Sequence, residues 1–291
     1  MANKLSDEKR LRLIRMLCLG TNLESAAEVE QVSANTVSKL FRDLGDACLQ
    51  VIHSERDLVL PKIQVDELWS YVYTNDKKDS RKRKANPDEL KALGGSAYVF
   101  LAVEPDSRFI PAFYVGPWNR VSTRRFMSSI RAKLAKDDSG RLVTAPKIYS
   151  DGFWAYEQVL NSVMAGEYHY GRLKKRHDKL DKAGQPTPRS RYIGCDRQPV
   201  FGDVVKEEIS TSLIERRNKD LRRWCARLHR KTDAFSKKFE NHIRAVAIHV
   251  VYHNYVHTAR PSEETVTLDD GSTEKRRVKR ATPAMELGIA D

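Results

Sequence analysis

KIQVDELWSYVY, residues 62 to 73, decides the fold: it reads as a β-branched and aromatic strand with an acid, Asp66, in its middle. The segments that follow alternate between strand and helix. AYVFLAVEPDSRFIPAFYVG, 97 to 116, has two apolar runs around EPDSR and predicts an antiparallel hairpin. STRRFMSSIRAKLA, 122 to 135, sets Phe126, Ile130 and Leu134 on one face of a helix. APKIYSDGFWAYEQVLNSVM, 145 to 164, gives a short strand, then Asp151-Gly152, then an aromatic-rich helix. EYHYGRLKK predicts a fifth strand, residues 181 to 199 form the longest turn-rich region, and helices return from about 210 to 258. This order is that of an α/β domain with its sheet flanked by helices.

Upstream, residues 8 to 50 place apolar residues at helical spacing, with Leu11, Ile14 and Leu17, then Ala26 and Ala27, then Val37, Leu40 and Phe41. Three short helices fit, with Ser33 as an N-cap and Gly45 as a C-cap. The pattern is that of a small all-α helix-turn-helix domain over residues 1 to 55, whose helix 34 to 43 would enter the major groove. Asn35, Ser38, Lys39 and Arg42 are the candidate base and phosphate contacts, and Gln31 occupies the turn position where glycine is common. A three-helix cap with no DNA role fits the same pattern. The α/β domain then covers 60 to 258 with a basic insertion at 76 to 91, and residues 259 to 291 form a basic tail.

Composition points to a polyanionic partner. The chain has 52 Lys+Arg against 39 Asp+Glu, a net charge of +13 and a pI near 9.5, and such a field attracts nucleic acid. Cys18, Cys48, Cys195 and Cys225 form no C-x-x-C pair, which excludes a readable zinc ribbon or redox motif. Scattered thiols, the lack of an apolar leader core in MANKLSDEKRLRLI and the lack of a long apolar run predict a cytoplasmic protein, nucleoid-associated when on DNA, with no membrane partner. No Gly-rich phosphate loop and no serine or cysteine nucleophile motif occurs, which disfavours ATP use and covalent catalysis.

Three isolated acids punctuate the α/β order: Asp66 on the first strand, Asp151 at the end of a later one, and Glu215 near the start of a helix. A single core can bring strand centre, strand end and helix face together. Hard oxygen ligands on a phosphate-binding surface suit Mg²⁺, and two ions about 3.5 to 4 Å apart can activate a water or hydroxyl and stabilise the leaving oxygen. The helix TSLIERRNKDLRRWCARLHRK, 211 to 231, carries eight lysines and arginines and two acids. Asn218, Lys219 and Arg222 project from the same side as Glu215, beside an apolar stripe of Ile214, Leu221, Cys225 and Leu228. Taken alone, that helix reads better as an amphipathic one with a solvated basic face, whose Glu215 helps the N-terminal dipole.

VDELW, SDGFWAY, ISTSLIERRNKDLRRWCARLHRKTDAFSKKFENH and the ending TPAMELGIAD resemble, in content and order, the transposase family of insertion sequence one. The resemblance runs from about residue 25 onward and is most specific over 209 to 242. It implies a ribonuclease-H-like mixed sheet and an Asp, Asp, Glu triad, hence Asp66, Asp151 and Glu215 as catalytic and metal-binding residues. It also implies that Asn218 and Arg222 belong to the motif after the glutamate. Asp66 is preferred over Glu67, and strand alternation lets one of these neighbours face the site. The implied activity is DNA transposition, with metal-dependent strand cleavage and strand transfer by two Mg²⁺ or Mn²⁺ ions. Asn218, Lys219 and Arg222 would lie along bound DNA, and the protein would act as a homo-oligomer, at least a dimer, on element ends and target.

The chain departs from the family by lacking zinc-finger cysteines, by the insertion at 76 to 91, and at Phe153 and Trp154, where many relatives have a polar or basic residue. Two other readings stay open on the residues alone: a helix-turn-helix regulator without chemistry, and a nuclease on the same fold. His242, His249, His253 and His257 have helical spacing but no H-E-x-x-H acid, so they read as core histidines rather than zinc ligands.

Overall fold

The computed structural model describes residues 5–74, 94–180, 186–230, 232–258, 262–268, 271–278 and 281–291; the basic insertion expected at 76 to 91 lies outside them. Strand β1, Lys62–Val72, pairs antiparallel with β2, Gly95–Val103, which pairs antiparallel with β3, Phe113–Gly116. On its other side β1 runs parallel to β4, Lys147–Ser150, and β4 parallel to β5, His169–Leu180. A sixth strand, β6, Pro186–Phe201, closes the edge antiparallel to β5. The order β3-β2-β1-β4-β5-β6 makes a mixed sheet, and its first five strands have the ribonuclease-H-like arrangement that the family resemblance implied.

Helices cover both faces because β1 alternates apolar residues on each. Ile63 and Val65 pack with Phe126, Met127 and Ile130 of α4, Arg120–Arg131, beneath α5, Ala155–Met164. Leu68 and Val72 pack on the other face with Ile214 and Leu221 of α6, Ser212–Trp224, and Val246 and Val250 of α7, Phe239–Val251. The apolar stripe expected around Glu215 is thus buried against the sheet, although α6 ends at Trp224 and Leu228 lies in a separate 3₁₀ turn, Ala226–Leu228.

The N-terminal region is helical. Helices α1, Asp7–Cys18, α2, Leu23–Val29, and α3, Ala34–Ser54, are each capped by the side chain before them: Ser6, Asn22 and Ser33. Gln31 takes the left-handed conformation, φ 51°, at the turn where a glycine would be easier. Leu13, Val37 and Phe41 join the apolar cluster of α6 and α7. Gly45 does not cap a helix. It lies buried within α3, which runs on to Ser54, and a Cβ there would stand 2.4 Å from Cβ of Arg244 on α7, so glycine allows the two helices to cross closely.

The region expected to be turns, 181 to 199, contains most of β6. Its prolines and glycine sit on an edge strand broken by bulges, where such residues are tolerated. Gly194 at φ 144° opposes Arg176 where the register slips past Ile193. The tail forms a hairpin, β7, Ser262–Thr267, with β8, Thr273–Val278, and a short helix α8, Pro283–Glu286, capped by Thr282. No helix among the described residues is long and apolar enough to cross a membrane.

Candidate active site

Sheet register builds the site. Gln64 of β1 pairs with Tyr149 of β4 in a parallel ladder, so two residues further along Asp66 and Asp151 fall beside one another, just past the point where β4 ends. Asp151 is fixed by the backbone N–H of Phe153, 3.0 Å from Oδ1. Asp66 accepts from the Glu67 backbone N–H at 2.8 Å and from Asn218 Nδ2 at 2.9 Å.

Glu67 joins them, against the expectation that alternation would turn it away. Asp66, Glu67 and Asp151 each offer a carboxylate oxygen, and all three atoms lie within 4.8 Å of one another. Alternation does direct Glu67 to the α5 face, where Tyr156 OH and Trp118 Nε1, the latter at 3.2 Å, donate to it. Because β4 stops at Ser150, no strand separates that face from Asp151, and the longer glutamate side chain reaches it.

Three clustered carboxylates cannot comfortably all be charged. Burial, then repulsion from Asp151, raises Asp66 to about 7 and Glu67 to about 8. Asp151 is raised by burial, with Lys175 pulling the other way. Tyr156 is raised well above its usual range by burial and by Glu67, which keeps it a donor. Negative charge is gathered here on a chain that is otherwise strongly basic.

Helix α6 is docked onto this cluster by Gln64, a buried polar residue in an apolar strand. Its Oε1 accepts from the backbone N–H groups of Leu213 and Ile214, both at 3.1 Å, satisfying two donors that a helix start leaves open. Glu215, one turn in, has its carboxylate occupied: Lys175 Nζ lies 2.6 Å away and Thr211 Oγ1 donates at 2.8 Å. Its charge still raises both Asp66 and Asp151. The structure therefore brings Asp66 and Asp151 together with Glu67, and holds Glu215 beside them on a lysine.

The other predicted residues divide by environment. Asn218 is buried and orients Asp66. Lys219 is exposed. Arg222 donates to the backbone carbonyls of Leu228 and Trp69, bracing the end of α6 against β1. On α3, Asn35, Lys39 and Arg42 are exposed, and Ser38 accepts from Arg42 at 3.2 Å. His242 bridges Ser70 and Ser236 in the core, where burial lowers it to about 3.

One atom tests whether a hard cation suits the site. Asn218 Oδ1 is buried with no hydrogen-bond partner, while Nδ2 of the same side chain holds Asp66. A hydrated divalent ion brings both positive charge for the carboxylates and water protons for such an acceptor, so the donor set fits Mg²⁺ or Mn²⁺. Sequence reasoning missed Gln64, Glu67 and Lys175. The isolated polar Gln64 and the acid pair Asp66-Glu67 were visible signals; nothing distinguished Lys175 among its basic neighbours.

No protein-family model and no curated protein matches the chain. Among solved structures, a piggyBac transposase in a synaptic complex with hairpin DNA is similar at 7% identity and a TM-score of 0.38. The match covers 85% of this chain and 66% of that one, so this chain spans a little under two thirds of its neighbour's length.

Proposed function

We propose that the chain is a metal-dependent DNA strand-cleaving and strand-transferring enzyme, a transposase of the kind the insertion sequence one resemblance implies. The carrying observation is the convergence of Asp66, Glu67 and Asp151 within 4.8 Å on a ribonuclease-H-like sheet, with Glu215 beside them. Asp66 and Asp151 would hold the metal, with Glu215 as third ligand once it leaves Lys175. When bound, one or two divalent ions would lower the pKa of an attacking water or 3′-hydroxyl and neutralise charge on the leaving oxygen.

The chain's own residues set the geometry. Asn218 holds Asp66 in one rotamer through Oδ2. Gln64 fixes the start of α6 and with it the height of Glu215 above the sheet. Tyr156 and Trp118 hold Glu67, so that its carboxylate is positioned even while protonated. Lys175, already paired with an oxyanion, would exchange Glu215 for a backbone phosphate as DNA enters. Lys219 lies on the exposed side of the same helix for a further phosphate, and Asn35, Lys39 and Arg42 on α3 would read the element end. Joining two ends calls for at least two copies on DNA.

Cleavage of the DNA flanking this reading frame, assayed with Mg²⁺, tests the reading. Asp66→Asn and Asp151→Asn are each expected to lose about 100-fold or more, the scale of removing one preorganised electrostatic contact, with binding retained. Unchanged cleavage in either variant would remove that residue from the site. Cutting without end joining would identify a nuclease, and binding without cutting a regulator.

A further inference from the structure

Phe153 and Trp154 sit at the rim of the carboxylate cluster beside a third aromatic, Trp118. Phe153 is buried and its backbone N–H holds Asp151. Trp118, from the loop before α4, stacks on the Phe153 ring with centroids 4.4 Å apart and planes 15° apart. Its indole N–H is the donor to Glu67. Trp154 meets Phe153 at 68°, so these two rings are not stacked on one another. Trp118 and Trp154 are 49% and 50% exposed. Trp118 is itself packed, stacked on Tyr98 as well as on Phe153 and donating directly to Glu67, so Trp154, half in water and edge-on to Phe153, is the ring left for a partner.

We propose that Trp154, backed by the Trp118–Phe153 stack, is a stacking platform for one unpaired nucleobase whose own phosphate lies at the carboxylate cluster. The proposal rests on the DNA-cleaving reading above and adds a substrate feature to it: an unpaired base beside the reacting phosphate. A nucleotide carries its base one sugar away from its phosphate, and Trp154 follows Asp151 by three residues, next to the Phe153 whose N–H holds that acid. The base must be unpaired, because both faces of a paired base are covered by its neighbours in the duplex. Arg120 and Arg124, exposed on the first turns of α4 just after Trp118, add the positive charge that a nucleic acid strand needs near an acidic cluster. Aromatic stacking tolerates any base, so the platform selects strand state rather than sequence.

The test uses the full chain in Ca²⁺, with two DNA probes of the same arbitrary sequence. One carries 2-aminopurine in a single-stranded 3′ overhang, and the other carries it paired within a blunt duplex. The wild-type chain is expected to quench the overhang probe and bind it more tightly than the blunt one. Trp154→Ala should lose the quenching and weaken overhang binding by roughly 10-fold, within the range for one base–aromatic stack, with blunt-duplex affinity unchanged. Trp154→Phe should restore most of both. Trp118→Phe keeps a ring on Phe153 while removing the indole N–H, and is expected to keep quenching. Equal quenching and equal overhang affinity in Trp154→Ala and wild type would overturn the platform while leaving the catalytic reading intact. A wild-type chain that quenches the overhang yet cuts no DNA in Mg²⁺ would overturn the catalytic reading and leave the platform as a single-strand binding site.

Discussion

Two sets of acids in this molecule, one buried and one half-buried, are handled in opposite ways. Glu55, at the end of α3, has Lys133 Nζ 2.8 Å away and accepts from Tyr255 OH at 2.9 Å, while Lys133 also donates to the Pro111 carbonyl at 2.6 Å. Both side chains are almost fully buried, 4% and 6% exposed. Burial pushes Glu55 up and Lys133 down, and each charge opposes the shift of the other. Asp66, Glu67 and Asp151 lie within 4.8 Å of one another, but the donors to them are an amide, an indole, a phenol and backbone N–H groups. A charge that serves the fold brings its counter-charge in the chain. A charge placed for chemistry, as proposed for the cluster, would leave that place for a ligand.

The largest effect should come from breaking the self-sufficient pair. Lys133→Met leaves Glu55 buried without its cation and is expected to cost about 3 to 5 kcal/mol in urea unfolding, the scale for orphaning one member of a buried pair. The double variant Lys133→Met/Glu55→Leu should recover much of that loss. A cost below about 1 kcal/mol for Lys133→Met would put Glu55 in the same class as the cluster.

The cluster should respond with the opposite sign. Asp66 titrates near 7 when folded and near 4 when unfolded, so between those values the folded chain binds the extra proton. Stability of the metal-free protein therefore falls as pH rises from about 4 through 7, and on to about 8 as Glu67 deprotonates. Asp66→Asn removes that charge and is expected to stabilise the metal-free chain at pH 8 by about 2 kcal/mol, less than the full shift implies because the three acids titrate together. Mg²⁺ should raise the melting temperature of the wild type more at pH 8 than at pH 6, and should do little for Asp66→Asn. A wild-type chain whose stability rises steadily over this range would contradict the repulsion on which the site reading rests.

The same contrast explains what could be read in the sequence. The sheet was legible because KIQVDELWSYVY and its neighbours carry local period-two and turn signals, and such signals report on the residues that generate them. Asp66 and Asp151 were legible as acids out of place within apolar strands. β6 was not, since its prolines and glycine are turn residues unless a partner strand with matching bulges is known. Gly45 misled for a related reason: a glycine that admits a crossing helix looks, in one dimension, like one that ends its own. The role of Glu67 depended on where β4 stops, and that of Lys175 on a contact across forty residues of chain. These are properties of pairing rather than of either segment.

The smallest effect should sharpen the place of Glu215, which lies between the two classes. Its carboxylate is held by Lys175, as in the structural pair, yet both side chains remain about a third exposed and the acids beside it are raised by its charge. Lys175→Met should therefore change stability by less than about 1 kcal/mol, as for an exposed ion pair. Its informative readout is the response to metal. If Glu215 belongs to the ligand set, removing Lys175 frees it, and Mg²⁺ should raise the melting temperature of Lys175→Met by more than it raises that of the wild type. Adding Glu215→Gln should abolish the difference. An equal Mg²⁺ response in Lys175→Met and wild type would assign Glu215 to the lysine and leave Asp66, Glu67 and Asp151 as the complete acidic site. The comparison separates the two outcomes because removing the lysine leaves Thr211 as a donor to the glutamate, and so alters its charge environment without letting go of its position.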